Sequence, residues 1–170
     1  ENVRVPASNL IGGENNGWSL ITGQLNHERV SLMNVGPVRR LVDEARQWAQ
    51  QTKLADGRRV IDEPWVQANL ARVHAKLEVL RLMNWKQAWT LQHGHLHPGD
   101  ASAVKVFGSE FYVEAYRALL EIFGAQGVLR ADSPGAVLRG RVEMMYRNCL
   151  ILTFGGGTNE VQRGIIALAL

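Results

Sequence analysis

A chain of 170 residues, 46% hydrophobic and 21% charged, is long enough to bury one sizeable core and too apolar to stay disordered. Its formal net charge is only +3, and the basic residues are spread along the chain rather than gathered in a block, which argues against a nucleic-acid reader. No apolar run approaches the ~18 residues of a bilayer span and the start carries no signal-peptide core, so no membrane insertion is expected and the cytoplasm is the default compartment. The single cysteine, Cys149, has no partner for an intrachain disulfide and reads as core filling.

Residues 2 to 13 begin with short alternation, Asn2-Val3-Arg4-Val5-Pro6, and then meet Gly12 and Gly13; this predicts a strand remnant running into a loop. After Asn16-Gly17, apolar residues recur at helical spacing through Ile21, Leu25, Leu32, Val35, Val38, Val42, Ala45 and Trp48, predicting one long first helix. Pro37 lies inside it, so a kink is expected near Gly36. Thr52 to Arg59 breaks the pattern, and Asp62-Glu63-Pro64 restarts it with a capping candidate and a proline in the first turn.

The second helix keeps Val66, Leu70, Val73, Leu77 and Leu80 on one stripe and runs past Trp85 and Trp89 to Gly94; the two tryptophans read as core. The third is expected from a cap at Asp100, through Val104, Phe107, Phe111, Ala115, Ala118 and Ile122, to Gly124-Ala125-Gln126-Gly127. A fourth covers Val137 to Leu152 and stops at Gly155-Gly156-Gly157; a short fifth starts at Thr158 and carries Val161, Ile165 and Leu168. The expected fold class is all-α: an antiparallel four-helix bundle with a short extra C-terminal helix and an extended N-terminal segment.

Three features carry chemistry. Glu28 falls three residues after Leu25 and four before Leu32, on the stripe expected to face inward. Burial raises a carboxyl pKa and makes a glutamate a usable base near neutral pH, whereas an ion pair with Arg29 would make the same residue structural. Phe154 to Glu160 offers bare backbone before a helix start, which lets a phosphate or flavin edge approach; glycines are also ordinary helix stops. His93, His95 and His97 alternate in a polar loop with no carboxylate-rich or cysteine neighbour, so they read as solvent-exposed and no metal site is assigned.

The tail Leu152-Thr153-Phe154-Gly155-Gly156-Gly157-Thr158-Asn159-Glu160-Val161-Gln162-Arg163, preceded by Arg147-Asn148 and followed by Ile165-Ile166-Ala167, resembles the terminal signature of the acyl-CoA dehydrogenase family. The opening through Gly17-Trp18 is similar to that family's passage from its middle β-domain into its first bundle helix. The resemblance therefore implies that residues 1–16 end a β-domain and its linker, and that 17–170 form the C-terminal bundle. With no initiator Met before Glu1, a fragment is expected.

Such a resemblance implies FAD as cofactor and α,β-dehydrogenation of an acyl-CoA in lipid β-oxidation. A glutamate removes the α-proton while hydride leaves the β-carbon. Family members carry the base either just before the Gly-Thr of the terminal signature or on the first bundle helix. Gly156 fills the first place, while Asn26-His27-Glu28-Arg29-Val30 is similar to the second, so Glu28 is implied as the base. Gly157, Thr158 and Glu160 match positions near the flavin dinucleotide, and Gln126 with Gly127 match a turn met by a neighbouring subunit's FAD. Many members also place an Arg followed by Phe-Gly between the first two helices; here Gln50-Gln51-Thr52-Lys53-Leu54-Ala55-Asp56-Gly57 stands instead. The implied partners are an electron-transfer flavoprotein or similar acceptor and a homo- or hetero-tetramer. A mixed oligomer in which this chain only completes a neighbour's site is the alternative.

Overall fold

A computed structural model describes residues 2–169, so Glu1 and Leu170, the outermost residues of the two expected segments, lie outside the described residues. Within them the apolar stripes become six α-helices: α1 Gly17–Leu32, α2 Gly36–Gln51, α3 Pro64–His93, α4 Pro98–Phe123, α5 Arg141–Cys149 and α6 Asn159–Leu168. The all-α bundle is as expected. Helix α4 is its axis and packs against the other five. Val38, Val66, Leu80, Val104, Leu119 and Val142 from four of the helices are all but fully buried in one shared core. Trp48 on α2 and Phe123 at the end of α4 meet edge-to-face, with ring centroids 5.0 Å apart.

Several boundaries differ from those read in the sequence. Residues 2 to 13 form no strand; Ala7–Asn9 make a single 3-10 turn, and Val3, Val5, Leu10 and Ile11 are exposed. A strand persists only where a neighbour takes its backbone groups, and among the described residues the β pairing is confined to one isolated bridge between Lys53 and Arg59.

The long first helix is two helices. Met33 ends α1, and Pro37 sits in the first turn of α2, where its missing N–H costs nothing and its fixed φ suits a helix start. The break is tied down rather than loose. Asn84 Nδ2 on α3 donates to Met33 O at 2.9 Å, the Tyr112 hydroxyl on α4 donates to Asn34 O, and Gly36 N–H donates to Asn34 Oδ1 at 3.1 Å. Gly108 on α4 makes room for this junction, because a Cβ there would lie 2.8 Å from Met33 Cβ.

Helix α4 begins two residues before Asp100. His97 is its cap, with Nδ1 accepting from Gly99 N–H, while Asp100 pairs with Lys86 on α3 at 2.9 Å. The fourth expected helix is regular only over α5. Before it, Leu138 and Arg139 adopt left-handed φ of 49° and 56°, and after it Leu150–Thr153 tighten to 3-10. At the start of α5 the chain crosses itself closely at Gly140, where a Cβ would stand 2.5 Å from the Ala131 backbone nitrogen.

Candidate functional site

Helix α1 positions the expected base. Trp18, Ile21, Leu25, Glu28 and Leu32 recur every three or four residues and share one face. That face is not the packed one: Trp18, Ile21 and Leu32 are exposed, and Leu25 and Glu28 are half-buried. The side turned to α4 carries Arg29 and, at the helix end, Met33, both buried. The inward direction of α1 is thus one residue step away from the expected one. Arg29 enters the protein, and Glu28 stands on its rim in an uncovered apolar stripe.

The acceptor that draws Arg29 inward is the glycine turn. Arg29 Nε donates to Gly156 O at 2.9 Å, and Nη1 donates to Asn26 Oδ1 at 2.9 Å, so the guanidinium spends its bonds there rather than on the Glu28 carboxylate. Burial lowers the Arg29 pKa from its usual value, and the nearby charge of Glu28 opposes that shift.

Gly156 and Gly157 have φ of +73° and +101°, which side-chain-bearing residues rarely adopt. A Cβ on Gly157 would lie 2.5 Å from Gln162 Nε2. Behind the turn lies a buried polar set absent from the sequence reading: Ser102, Lys105 and Ser109 on α4, with Asn159 and Gln162 on α6. Lys105 Nζ donates to Thr153 O at 3.2 Å, Gly157 O at 2.7 Å and Asn159 Oδ1 at 2.7 Å. Asn159 Nδ2 donates to Ser109 Oγ at 3.1 Å and Glu110 Oε1 at 3.2 Å. Ser102 Oγ donates to Gln162 Oε1 at 2.8 Å, and Gln162 Nε2 donates to Gly156 O at 3.4 Å. Carbonyls 153, 156 and 157 are therefore all held from the protein side. The available signal was the spacing of Ser102, Lys105 and Ser109, a polar row at three and four residues along one side of α4.

Thr158 caps α6, its hydroxyl accepting from Val161 N–H at 3.3 Å. Glu160 is exposed in the first turn; hydrogen bonds from its own backbone N–H and the Thr158 hydroxyl hold its carboxyl below the usual range. Gly157, Thr158 and Glu160 thus come together. Gln126 and Gly127 do not join them: they follow the far end of α4, and the 14 helical steps from Ser109 to Phe123 put them about 20 Å away along the helix. Gln126 is exposed, and a Cβ at Gly127 would strike Leu120 O at 2.9 Å.

Between α2 and α3 the hairpin's arginines are taken by its own acids. Arg58 pairs with Asp56 at 2.7 Å and Glu63 at 2.6 Å, and Arg59 pairs with Asp62 at 2.7 Å. The tryptophans expected in the core are outside it: Trp85 lies under the Arg81 guanidinium, 4.2 Å from its ring centroid, and Trp89 stacks on His93. They occupy the α3 face opposite Leu77 and Leu80. His93 Nδ1 lies 2.9 Å from Trp89 O and His97 caps α4, so these two are engaged separately.

With this geometry in view, the comparison with known proteins is decisive: the family profile described as acyl-CoA dehydrogenase, C-terminal domain, matches residues 15–170. The chain belongs to the acyl-CoA dehydrogenase family. It is 59% identical, over 98% of its length, to the acyl-CoA dehydrogenase FadE26 of Mycobacterium tuberculosis, of which it spans 42%. The crystal structure of the ChsE4–ChsE5 complex from Mycobacterium tuberculosis contains a chain 60% identical, with a TM-score of 0.88 over 99% of this chain and 44% of that one. A solved steroid ACAD made of Tcur3481 and Tcur3483 matches at 43% identity and a TM-score of 0.89, over 99% of this chain and 43% of that one. The chain thus spans about two fifths of the length of these relatives. No helix among the described residues is long and apolar enough to cross a membrane.

Proposed function

We propose that this chain is the C-terminal part of an FAD-dependent acyl-CoA dehydrogenase and that the Glu28 carboxylate is its general base. Residues 1–16 are then the end of a β-domain and its linker, and residues 17–170 the bundle. The observation that carries the reading is the rim position of Glu28: a carboxylate in an uncovered apolar stripe, beside an arginine already committed to the glycine turn.

The residues at the turn fit the cofactor. Gly155–Gly157 offer a cradle without side chains, and Thr158 opens a helix whose amino end favours a phosphate. When bound, FAD supplies the acceptor for the hydride that leaves the β-carbon of the acyl group. Glu28 takes the α-proton on a carboxylate oxygen, in the same geometry. Ile21, Leu25 and Leu32 around it exclude water once the acyl group and the remaining domains cover them. Arg29, fixed on Gly156 O, holds α1 at a set distance from the turn. Gly157, Thr158 and Glu160 serve the dinucleotide of one site, and Gln126 with Gly127 serve a neighbour's.

The steroid ACAD among the relatives favours the CoA thioester of a steroid as substrate, with an electron-transfer flavoprotein or similar acceptor. Glu28→Gln, made in the protein that carries this chain, is expected to keep its FAD and lose turnover by ~100-fold or more. Unchanged turnover would remove Glu28 from the role.

A second reading has its own support. Gly156 stands at the alternative base position, and the 52–63 hairpin offers paired arginines where a pyrophosphate clamp would be. This chain would then act within a mixed tetramer whose sites are unequal. Flavin bound stoichiometrically by the chain's own protein, expressed alone and active, would exclude that reading.

A further inference from the structure

Lys105 is completely buried, yet its three hydrogen bonds go to two main-chain carbonyls and one amide oxygen, with no carboxylate among them. Burying an ammonium is costly, and an apolar side chain would be the cheap occupant of this place on α4. What the ammonium provides is three N–H donors from a single atom, which no neutral side chain offers.

Its acceptors straddle the glycine turn. Thr153 precedes Gly155–Gly157, Gly157 closes it, and Asn159 opens the helix beyond. Three successive glycines would otherwise be the most conformationally free segment in the chain. Lys105 ties both ends of that segment to α4, Asn159 is held in turn by Ser109 and Glu110, and Arg29 ties the middle of the turn to α1. We propose that Lys105 is a positioning residue: it locks the glycine turn into the one conformation that meets the flavin dinucleotide. This rests on the FAD reading above.

The test uses Lys105→Met, which matches the length of the lysine stem and removes every donor. It is compared with wild type and with Val104→Ala, which destabilises the same helix without touching the turn. Amide hydrogen exchange over residues 154–160 reads the clamp, and FAD affinity of the complete protein, with any co-purifying partner, reads its purpose. Lys105→Met is expected to exchange these amides ~10-fold faster and to bind FAD ~10-fold more weakly, with Val104→Ala near wild type in both. Exchange no faster than in Val104→Ala, or a loosened turn with unchanged FAD affinity, would overturn the proposal. If Lys105→Met does not fold, Asn159→Ala, which keeps the ammonium and removes one of its acceptors, is judged on the same two readings. A wild type without FAD would instead refute the flavin reading, and the exchange result would then decide the clamp alone.

Discussion

Replacing Gly157 by alanine probes the turn directly, and Gly135→Ala supplies its control. Both glycines have positive φ, +101° and +82°, so each alanine pays backbone strain of ~1–2 kcal/mol. At Gly135 the added methyl meets nothing within 4 Å. At Gly157 it would stand 2.5 Å from Gln162 Nε2, and Gln162 is fully buried with its other end held by Ser102. Moving the amide breaks its bond to Gly156 O and leaves a buried polar group unpaired, worth a further ~1–3 kcal/mol. Gly157→Ala should therefore lose ~2–5 kcal/mol and Gly135→Ala only ~1–2 kcal/mol, measured as midpoint shifts in urea titrations with unchanged slope. Adding Ser102→Ala, which frees Gln162 to move, should make the Gly157→Ala loss smaller than in the wild-type background. Equal losses for the two glycine variants would refute the inward clamping of the turn.

Other consequences are simpler to read. Tyr116 buries a hydroxyl with no hydrogen-bond partner, so Tyr116→Phe should change stability by less than ~0.5 kcal/mol or raise it; Tyr112→Phe, which strips the donor from Asn34 O, should cost ~1–2 kcal/mol. Thermal melts separate the two. Burial pushes the Cys149 thiol up from 9.0 to about 11 and holds the Tyr112 and Tyr116 phenols above their usual range. The unfolded chain releases these protons first, so the contribution of these three groups to stability is constant well below pH 9 and is lost as pH rises toward 11 and beyond. Cys149→Ala should remove the part of that fall between about pH 9 and 11 that belongs to the thiol and leave the part due to the phenols, and a thiol reagent at pH 8 should label Cys149 only on unfolding.

The stripes of α2, α3 and α4 were legible because each is long and apolar along one side, and the terminal glycine run marked the start of α6. Helix α1 was not. It carries apolar residues on two faces, so periodicity chose the stripe of Leu25 and Leu32 when the packed side is that of Arg29 and Met33. The decision belongs to Gly156 O, a carbonyl 127 residues along the chain, which no local pattern contains. The helical pattern runs through Pro37 and so predicts a kink there; the anchoring of Met33 and Asn34 by α3 and α4 makes it a helix start instead. Residue type alone puts Trp85 and Trp89 in the core, whereas packing of the Leu77 and Leu80 side of α3 leaves both exposed. Lys105, Asn159 and Gln162 look like surface residues in sequence. They are inside because each satisfies the others, a property of the assembled turn and not of any one segment.

The most direct test of Glu28 as base follows flavin absorbance of the complete protein, alone and with any co-purifying partner, as an acyl-CoA is added to wild type and Glu28→Gln. The account predicts bleaching in wild type and none in Glu28→Gln, with FAD retained in both. Bleaching of Glu28→Gln at the wild-type rate would contradict it.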